Sequence, residues 1–191
     1  MPVATPSACT RISRFTIHTA LVDWEPNQNW VVSLSTWRTD MGKLQMGYSH
    51  IFCIIDMDTK DKEQYQKLKA KYAKPIDKPK KGIYCEVEFF ETHRCTELFF
   101  LYYFRYTPRP YGEQETLLKD LNQCIEYRKT IEFFIKTKGL HGYFERNGGS
   151  LKKAMANANR SMDEKQRDGR DYTYSELGRL IDKLTALSEK H

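Results

Sequence analysis

Residues 82–108 read GIYCEVEFFETHRCTELFFLYYFRYTP, and the fold of the chain depends on which structure they form. Residues 84–89 alternate apolar side chains with glutamates, a period of two that is typical of a half-buried strand. Residues 98–104 are rich in aromatic side chains, which strands favour. We therefore predict a β-hairpin that turns near residues 91–95. A helix is the alternative, because nothing in this stretch breaks one.

Three stretches before this aromatic block have strand patterns. Residues 14–24 and 29–37 both alternate apolar and polar side chains and are predicted to form an antiparallel hairpin with one buried face. Residues 50–57, HIFCIIDM, form a continuous apolar run of strand length. Such a run indicates a central strand that is buried on both faces.

The part of the chain after residue 113 has helical patterns. Apolar residues at helical spacing over 117–135 predict one amphipathic helix of about six turns. Residues 151–167 favour a helix with almost no apolar face, which we expect to face solvent. A last helix follows the capping-box pattern of residues 173–176. Its leucine stripe is predicted to dock on this chain's own core or on a helix of a partner.

These patterns predict an α+β fold. An N-terminal antiparallel β-sheet is followed by a basic helix, an aromatic β-hairpin or helix, and a C-terminal helical region. We divide the chain into a flexible arm at 1–13 and a β-rich domain at 14–112, with a basic helix and linker inserted at 59–82. The helical region at 113–191 is expected to pack on the same core.

The net charge of the chain is concentrated in residues 60–81, KDKEQYQKLKAKYAKPIDKPKK. This stretch has nine lysines and three acids, a balance of +6 that equals the formal net charge of the whole chain. We predict a thin-faced helix up to residue 73 and then a stiff, proline-containing linker. Such a charge suits an anionic partner, most commonly nucleic acid, either DNA or RNA. A solvated surface that only keeps the protein soluble is the alternative.

The candidate nucleic-acid contacts are basic side chains that bind phosphates, which gives affinity without sequence information. Seven belong to the basic stretch: Lys67, Lys69, Lys71, Lys74, Lys78, Lys80 and Lys81. Arg105 and Arg109 lie beside the aromatic run, whose rings either stack on bases or form core.

The five cysteines and the apolar runs bear on location. An odd number of cysteines, three of them in apolar runs, suits reduced thiols in a reducing compartment. The longest apolar run has seven residues, far below the roughly 20 that span a bilayer. We therefore predict a cytoplasmic protein with no membrane partner and no cofactor.

Three patterns offer catalytic or metal-binding alternatives. Asp56 and Asp58 form a D-x-D pair that can hold Mg²⁺ for phosphoryl chemistry, or else simply cap the next helix. A second set has the right ligand types for zinc but no usual zinc spacing: Cys85, His93, Cys95 and His141.

The third pattern is similar to replication-initiator endonucleases of the His-hydrophobic-His kind. RFTIHTA at 14–20 resembles their first motif, and Tyr65 with Lys69 resembles their tyrosine-lysine helix. The metal strand keeps only His50 and has Phe52 where that family has its second histidine.

The stretch from about residue 67 to 187 resembles the RteC-type regulators, which are linked to excision of conjugative transposons. The shared landmarks are short: Glu88-Phe89-Phe90, Leu101-Tyr102-Tyr103, Pro110-Tyr111-Gly112, Phe133-Phe134, YFERNGG from Tyr143, and Asp171-Tyr172. The resemblance implies a mostly helical, DNA-binding regulatory protein without catalysis, and it implies a helical aromatic block. The β-rich N-terminal part has no counterpart in that family.

Our functional prediction is a non-catalytic nucleic-acid-binding accessory or regulatory protein that acts through its lysines. The first alternative is a structural or assembly subunit that docks on proteins through the aromatic block and the C-terminal leucine stripe. The second is a metal-dependent nuclease or a replication-initiator-like endonuclease.

Overall fold

The computed structural model describes residues 30–34, 49–57 and 62–189. Their strands form one sheet in the order β1-β2-β4-β3, and the short strand β5 pairs with β4. The strands are β1 Trp30–Leu34, β2 His50–Asp56, β3 Ile76–Lys78, β4 Ile83–His93 and β5 Tyr174–Ser175. The described helices are α1 Lys62–Lys71, α2 Glu97–Tyr102, α3 Gln114–Asn122, α4 Ile131–Thr137, α5 Leu140–Arg146, α6 Leu151–Asp168 and α7 Leu177–Ser188.

The α+β class is confirmed, but the prediction of an antiparallel sheet is wrong for its centre. β2 pairs in parallel with both β1 and β4. Only β3 and β5 run antiparallel to β4. Alternation and apolar runs define strands and faces, yet they do not define direction. The helix α1 between β2 and β4 makes the crossover that parallel neighbours require. The predicted strand at 14–24 lies outside the described residues.

The aromatic block is neither a hairpin nor a single helix. Its first part is the strand β4, and its second part is the helix α2, which begins at Glu97. Residues 98–103 are apolar or aromatic at every position, and all are buried. A short run that is buried on all sides has no period that separates a strand from a helix, which is why the aromatic enrichment misled the prediction.

The basic stretch contains more regular structure than a helix and a linker. After α1, residues 76–78 form β3, and residues 79–81 form a 3₁₀ turn. Gly82 follows in the left-handed conformation with φ 63°, and its N–H donates to Pro79 O at 3.0 Å. The lysines of this segment are therefore presented on a defined backbone.

The helical region differs from its prediction in three ways. The expected long helix is broken into α3 and α4, because Tyr127 turns into the core and its N–H donates to Asn122 Oδ1 at 2.9 Å. Residues 141–150, HGYFERNGGS, whose Gly-Gly pair predicts a loop, contain most of α5. The helix α6 does not merely face solvent: its small residues Ala154, Ala158 and Ser161 are buried.

The last helix, α7, packs on the chain's own core, which was one of the two predicted alternatives. Leu177, Leu180, Ile181 and Leu184 are buried. The predicted capping box is wrong. Thr173 precedes the short strand β5, and the Glu176 side chain accepts from the Glu91 N–H at 2.8 Å instead.

The two faces of the sheet support separate core clusters. Ile51, Cys53 and Val87 pack with Tyr65 of α1 on one face. Phe52, Ile54 and Phe90 pack with the helices α2 to α7 on the other. Among the described cysteines, the buried Cys53, Cys85 and Cys95 and the half-buried Cys124 are free thiols. No helix in the described ranges is long and apolar enough to cross a bilayer.

Candidate nucleic-acid interface and carboxyl-edge site

All seven predicted lysines are exposed, and the five that form no ion pair with a described residue make up what we call the lysine surface. It consists of Lys71, Lys74, Lys78, Lys80 and Lys81. Within the described part of the chain, the ion pairs of the basic stretch are those of Lys67 and Lys69, and none involves these five. Lys71 Nζ lies 5.2 Å from the Tyr72 ring centroid. The lysine surface is therefore a cluster of lysines without ion pairs in the described part of the chain, and Asp77 is the one acid within its span.

The other two lysines of the set are paired with carboxylates. Lys67 Nζ lies 2.6 Å from Glu63 Oε1 one turn away, and both side chains are well exposed. Lys69 Nζ donates to Glu91 Oε1 at 2.7 Å. Glu91 also accepts from the hydroxyls of Tyr65 at 2.8 Å and Tyr174 at 3.1 Å. Burial raises the pKa of Glu91, but Lys69 and these hydroxyls outweigh it and hold the pKa below its usual value.

Arg105 and Arg109 do not join the lysine surface. They lie 3.3 and 3.7 Å from the same oxygen of Asp120, Oδ2, which also accepts from the Tyr111 hydroxyl at 2.7 Å. Asp120 is buried, so the two arginines neutralise a buried carboxylate. Most of the neighbouring aromatic run is core, since residues 98–103 are buried.

A second candidate site lies at the carboxyl edge of the parallel strands β1, β2 and β4. Asp56 ends β2, the strand between β1 and β4. Its Oδ1 accepts from Thr96 N at 2.8 Å and from Thr96 Oγ1 at 2.7 Å. Burial raises the pKa of Asp56 to about 6, against the lowering effect of the Thr96 hydrogen bonds. Such a perturbed carboxyl group is a candidate for function. Asp58 lies outside the described residues.

Behind Asp56 lies an ion pair that the sequence patterns did not predict. Glu97 is buried, and its Oε1 lies 2.8 Å from Lys129 Nζ and accepts from the Tyr127 hydroxyl at 3.2 Å. Burial raises the pKa of Glu97, but Lys129 overcomes this and holds it below the usual value. The only hint of this ion pair in the sequence was an acidic residue, Glu97, at the start of an apolar run. Its partner is 32 residues away, which local periodicity does not reveal.

The four residues of the predicted zinc set do not form a metal site in the structure. The described residues contain no group of three or more His, Cys, Asp or Glu side chains that can hold a metal ion, so the zinc set is wrong. His93 Nδ1 accepts from Thr173 N at 3.2 Å, and His141 Nδ1 lies 3.2 Å from the Tyr103 hydroxyl.

The replication-initiator hypothesis needs an accessible tyrosine. Tyr65 is only 1% exposed, and its hydroxyl donates to Glu91. Burial, reinforced by Glu91, raises the pKa of Tyr65 far above its usual value. A buried hydroxyl that keeps its proton is not a nucleophile, so this hypothesis is wrong for Tyr65.

The lysine surface and the carboxyl edge lie at opposite ends of the sheet. Lys78 pairs with Ile83 at the start of β4, whereas Asp56 pairs with Thr92 near its end. Nine residues of strand separate the two points, about 30 Å. The two sites can therefore be altered independently.

A sheet with a parallel centre and a β2-α1-β4 crossover, covered on its other face by helices, carries these two candidate sites. The RloB-like protein family matches residues 19–184, most of the chain, and the chain belongs to that family. No curated protein and no solved structure matches the chain. The family match does not bear on the resemblance to RteC-type regulators, which stays a prediction.

Proposed function

We propose that this protein binds the phosphate backbone of nucleic acid through the lysine surface and works as an accessory or regulatory factor. The observation that carries the proposal is the set of five exposed lysines that form no ion pair with a described carboxylate. Clustered lysines release counterions when they meet phosphates, and this release drives non-specific binding. A cytoplasmic location is part of the proposal, since buried free thiols suit a reducing compartment.

A matched pair of triple variants tests the proposal. Lys74, Lys80 and Lys81 are replaced by Gln in one variant, and the exposed Lys119, Lys136 and Lys152 in the other, so both lose the same charge. The wild type should bind with micromolar affinity at moderate salt, with a steep salt dependence. The first variant should lose about three units of the slope of log K against log salt. The second should keep the wild-type slope, and equal losses in both variants would reduce the lysine surface to a solubility device.

The carboxyl edge supports a second candidate function, metal-assisted cleavage of the phosphodiester backbone. The observation that favours it is Asp56, a largely buried carboxyl group with a raised pKa at the end of the central parallel strand. Asp56 would hold a divalent cation together with Asp58, and the cation would stabilise charge on the phosphoryl oxygens. A polynucleotide bound at the lysine surface would have to run along the sheet to reach this edge.

Cleavage of duplex and single-stranded DNA and RNA with and without Mg²⁺ tests the second candidate. Asp56→Asn keeps an oxygen for the Thr96 hydrogen bonds and removes the charge, so the variant should fold and not cleave. The Lys74, Lys80 and Lys81 variant should raise KM and leave kcat nearly unchanged. A wild type that shows no Mg²⁺-dependent cleavage would end this candidate and leave the binding proposal intact.

The first alternative was docking on a protein through the leucine stripe and the aromatic block. It needs these two elements to be exposed. Both elements are largely buried in the chain's own core. Exposed large apolar side chains of α4, Ile131 and Ile135, lie elsewhere.

A further inference from the structure

Within the described residues, the lysine surface has no exposed aromatic ring suited to stacking on bases. The two aromatic residues within the basic stretch, Tyr65 and Tyr72, are only 1% and 9% exposed. Tyr65 packs edge-on against Phe89, with the ring centroids 5.9 Å apart. Both rings belong to the core cluster beneath α1. Neither is therefore available to a nucleotide base.

The exposed aromatic residue next along the chain, Tyr84, does not supply that platform either. Its ring is 51% exposed, but its hydroxyl donates to Glu86 Oε1 at 2.7 Å, and Asp77 is its partner in the β3–β4 register. Side chains alternate along a strand, so Tyr84 lies on the face opposite Cys85 and Val87, which pack beneath α1. Two carboxylates beside the ring repel a phosphate backbone.

The backbone that carries the lysines is ordered before any ligand arrives. Lys71 and Lys74 lie at and just beyond the end of α1, Lys78 is in β3, and Lys80 and Lys81 belong to the 3₁₀ turn. Proline at the start of the turn and the left-handed Gly82 after it fix this geometry. Lysines whose backbone positions are fixed relative to one another suit a stiff rod of regularly spaced phosphates better than a flexible strand.

We infer that the lysine surface binds double-stranded nucleic acid in preference to single strands, without sequence preference. This inference rests on the proposed function. A duplex carries about one charge per 1.7 Å of axis and releases more counterions per contact than a single strand. Proteins that bind single strands add aromatic stacking, which the described rings near this surface do not supply. Lysine ammonium groups on phosphates do not read bases.

The difference in counterion release gives the size of the expected preference. Five contacts on a duplex give a slope near −4.5, and five on a single strand give about −3.5. At about 0.1 M salt, one unit of slope corresponds to roughly tenfold in affinity, relative to the extrapolated value at 1 M. We therefore expect the duplex to bind about tenfold more tightly at this salt, and two unrelated duplexes to bind equally.

The experiment measures binding of the full chain to a short DNA duplex, an RNA duplex and the matching single-stranded DNA across a salt series. Tyr84→Ala is the decisive variant, with Tyr172→Ala as its control, since both rings are exposed. Tighter binding of the duplexes and no effect of Tyr84→Ala support the inference. Equal or tighter binding of the single strand, or its selective loss in Tyr84→Ala, overturns the inference and leaves the proposed function standing. No binding of any of these nucleic acids at low salt overturns both.

Discussion

Lys69 Nζ lies 2.7 Å from Glu91 Oε1, so one lysine of the basic stretch is turned inward to a largely buried carboxylate. Glu91 joins three parts of the fold at one side chain: its oxygens accept from Lys69 and Tyr65 of α1 and from Tyr174 of β5. Its position on β4 makes it the anchor of α1 on the sheet. Lys69 therefore ties α1 to the sheet, whereas Lys71 forms no ion pair with a described residue.

Replacing Lys69 should destabilise the fold more than replacing Lys71. Lys69→Met leaves Glu91 with its two hydroxyl donors and with Lys165 Nζ at 3.9 Å, and we expect the free energy of unfolding to fall by about 1–2 kcal/mol. Lys71→Met removes an exposed charge and should change it by less than about 0.5 kcal/mol. Urea unfolding at neutral pH measures both. Equal effects would show that the Lys69–Glu91 pair contributes nothing to stability.

The effect of Lys69→Met should also depend on pH. The folded pKa of Glu91 is below its usual value, so the stability from its interactions is present above pH 4.5 and is lost as pH falls through the folded pKa. The difference between Lys69→Met and the wild type should therefore shrink in acid. A difference that stays constant from pH 7 to pH 3 would contradict the ionic origin of the effect.

Asp56→Asn should stabilise the protein at neutral pH. The folded pKa of about 6 exceeds the usual 3.8, so the folded state holds the Asp56 proton more tightly than the unfolded state does. Ionised Asp56 therefore reduces stability by an amount that grows from pH 4 to pH 6 and is then constant. Two pKa units correspond to about 3 kcal/mol, an upper value for the gain.

Thermal unfolding of the wild type and Asp56→Asn at several pH values checks this. The variant should match the wild type near pH 4 and melt at a higher temperature above pH 6. A variant that is less stable at pH 7.5 would show that the ionised carboxylate contributes to the fold. Functional sites typically contain groups that reduce the stability of the fold. A stabilising effect of Asp56→Asn would therefore support a functional role for the carboxyl edge.

Lys129→Met should be more damaging than any other lysine substitution considered, because it leaves the buried Glu97 without its cation. Removing one partner of a buried pair costs about 3–5 kcal/mol, and the Tyr127 hydrogen bond that remains places the expected loss near the lower value. The double variant Lys129→Met with Glu97→Gln should recover part of this loss, since no buried charge is left unpaired. A double variant that is less stable than Lys129→Met would contradict this account.

Several features of the fold could be predicted from the sequence because local patterns have direct physical causes. The run HIFCIIDM predicts the central strand β2 because burial on both faces requires continuous apolar residues. The leucine stripe of α7 predicts a helix that docks, because its period matches one helical face. The lysine surface could be located because charge composition is visible in sequence.

Other features depend on contacts between distant residues. The break between α3 and α4 follows from the insertion of Tyr127 into the core. The segment between the two helices contains neither glycine nor proline, so the local sequence does not predict the break. The pairing of Lys69 with Glu91, and of Arg105 and Arg109 with Asp120, is of the same kind. Lys69 and Glu91 are 22 residues apart, so only the folded chain shows that they meet.

Leu180 and Ile135 provide a matched test of where the apolar surface of the protein lies. Leu180 in α7 is 2% exposed and belongs to the large core cluster, whereas Ile135 in α4 is 72% exposed. Leu180→Ala should lower the free energy of unfolding by about 2–5 kcal/mol, because it removes buried methyl groups and leaves a cavity. Ile135→Ala should change it by less than about 0.5 kcal/mol, because the side chain is already in water. Urea unfolding of the two variants decides the matter. A Leu180→Ala protein as stable as the wild type would show that the leucine stripe is not buried in the core. Docking of the stripe on a partner would then be possible again.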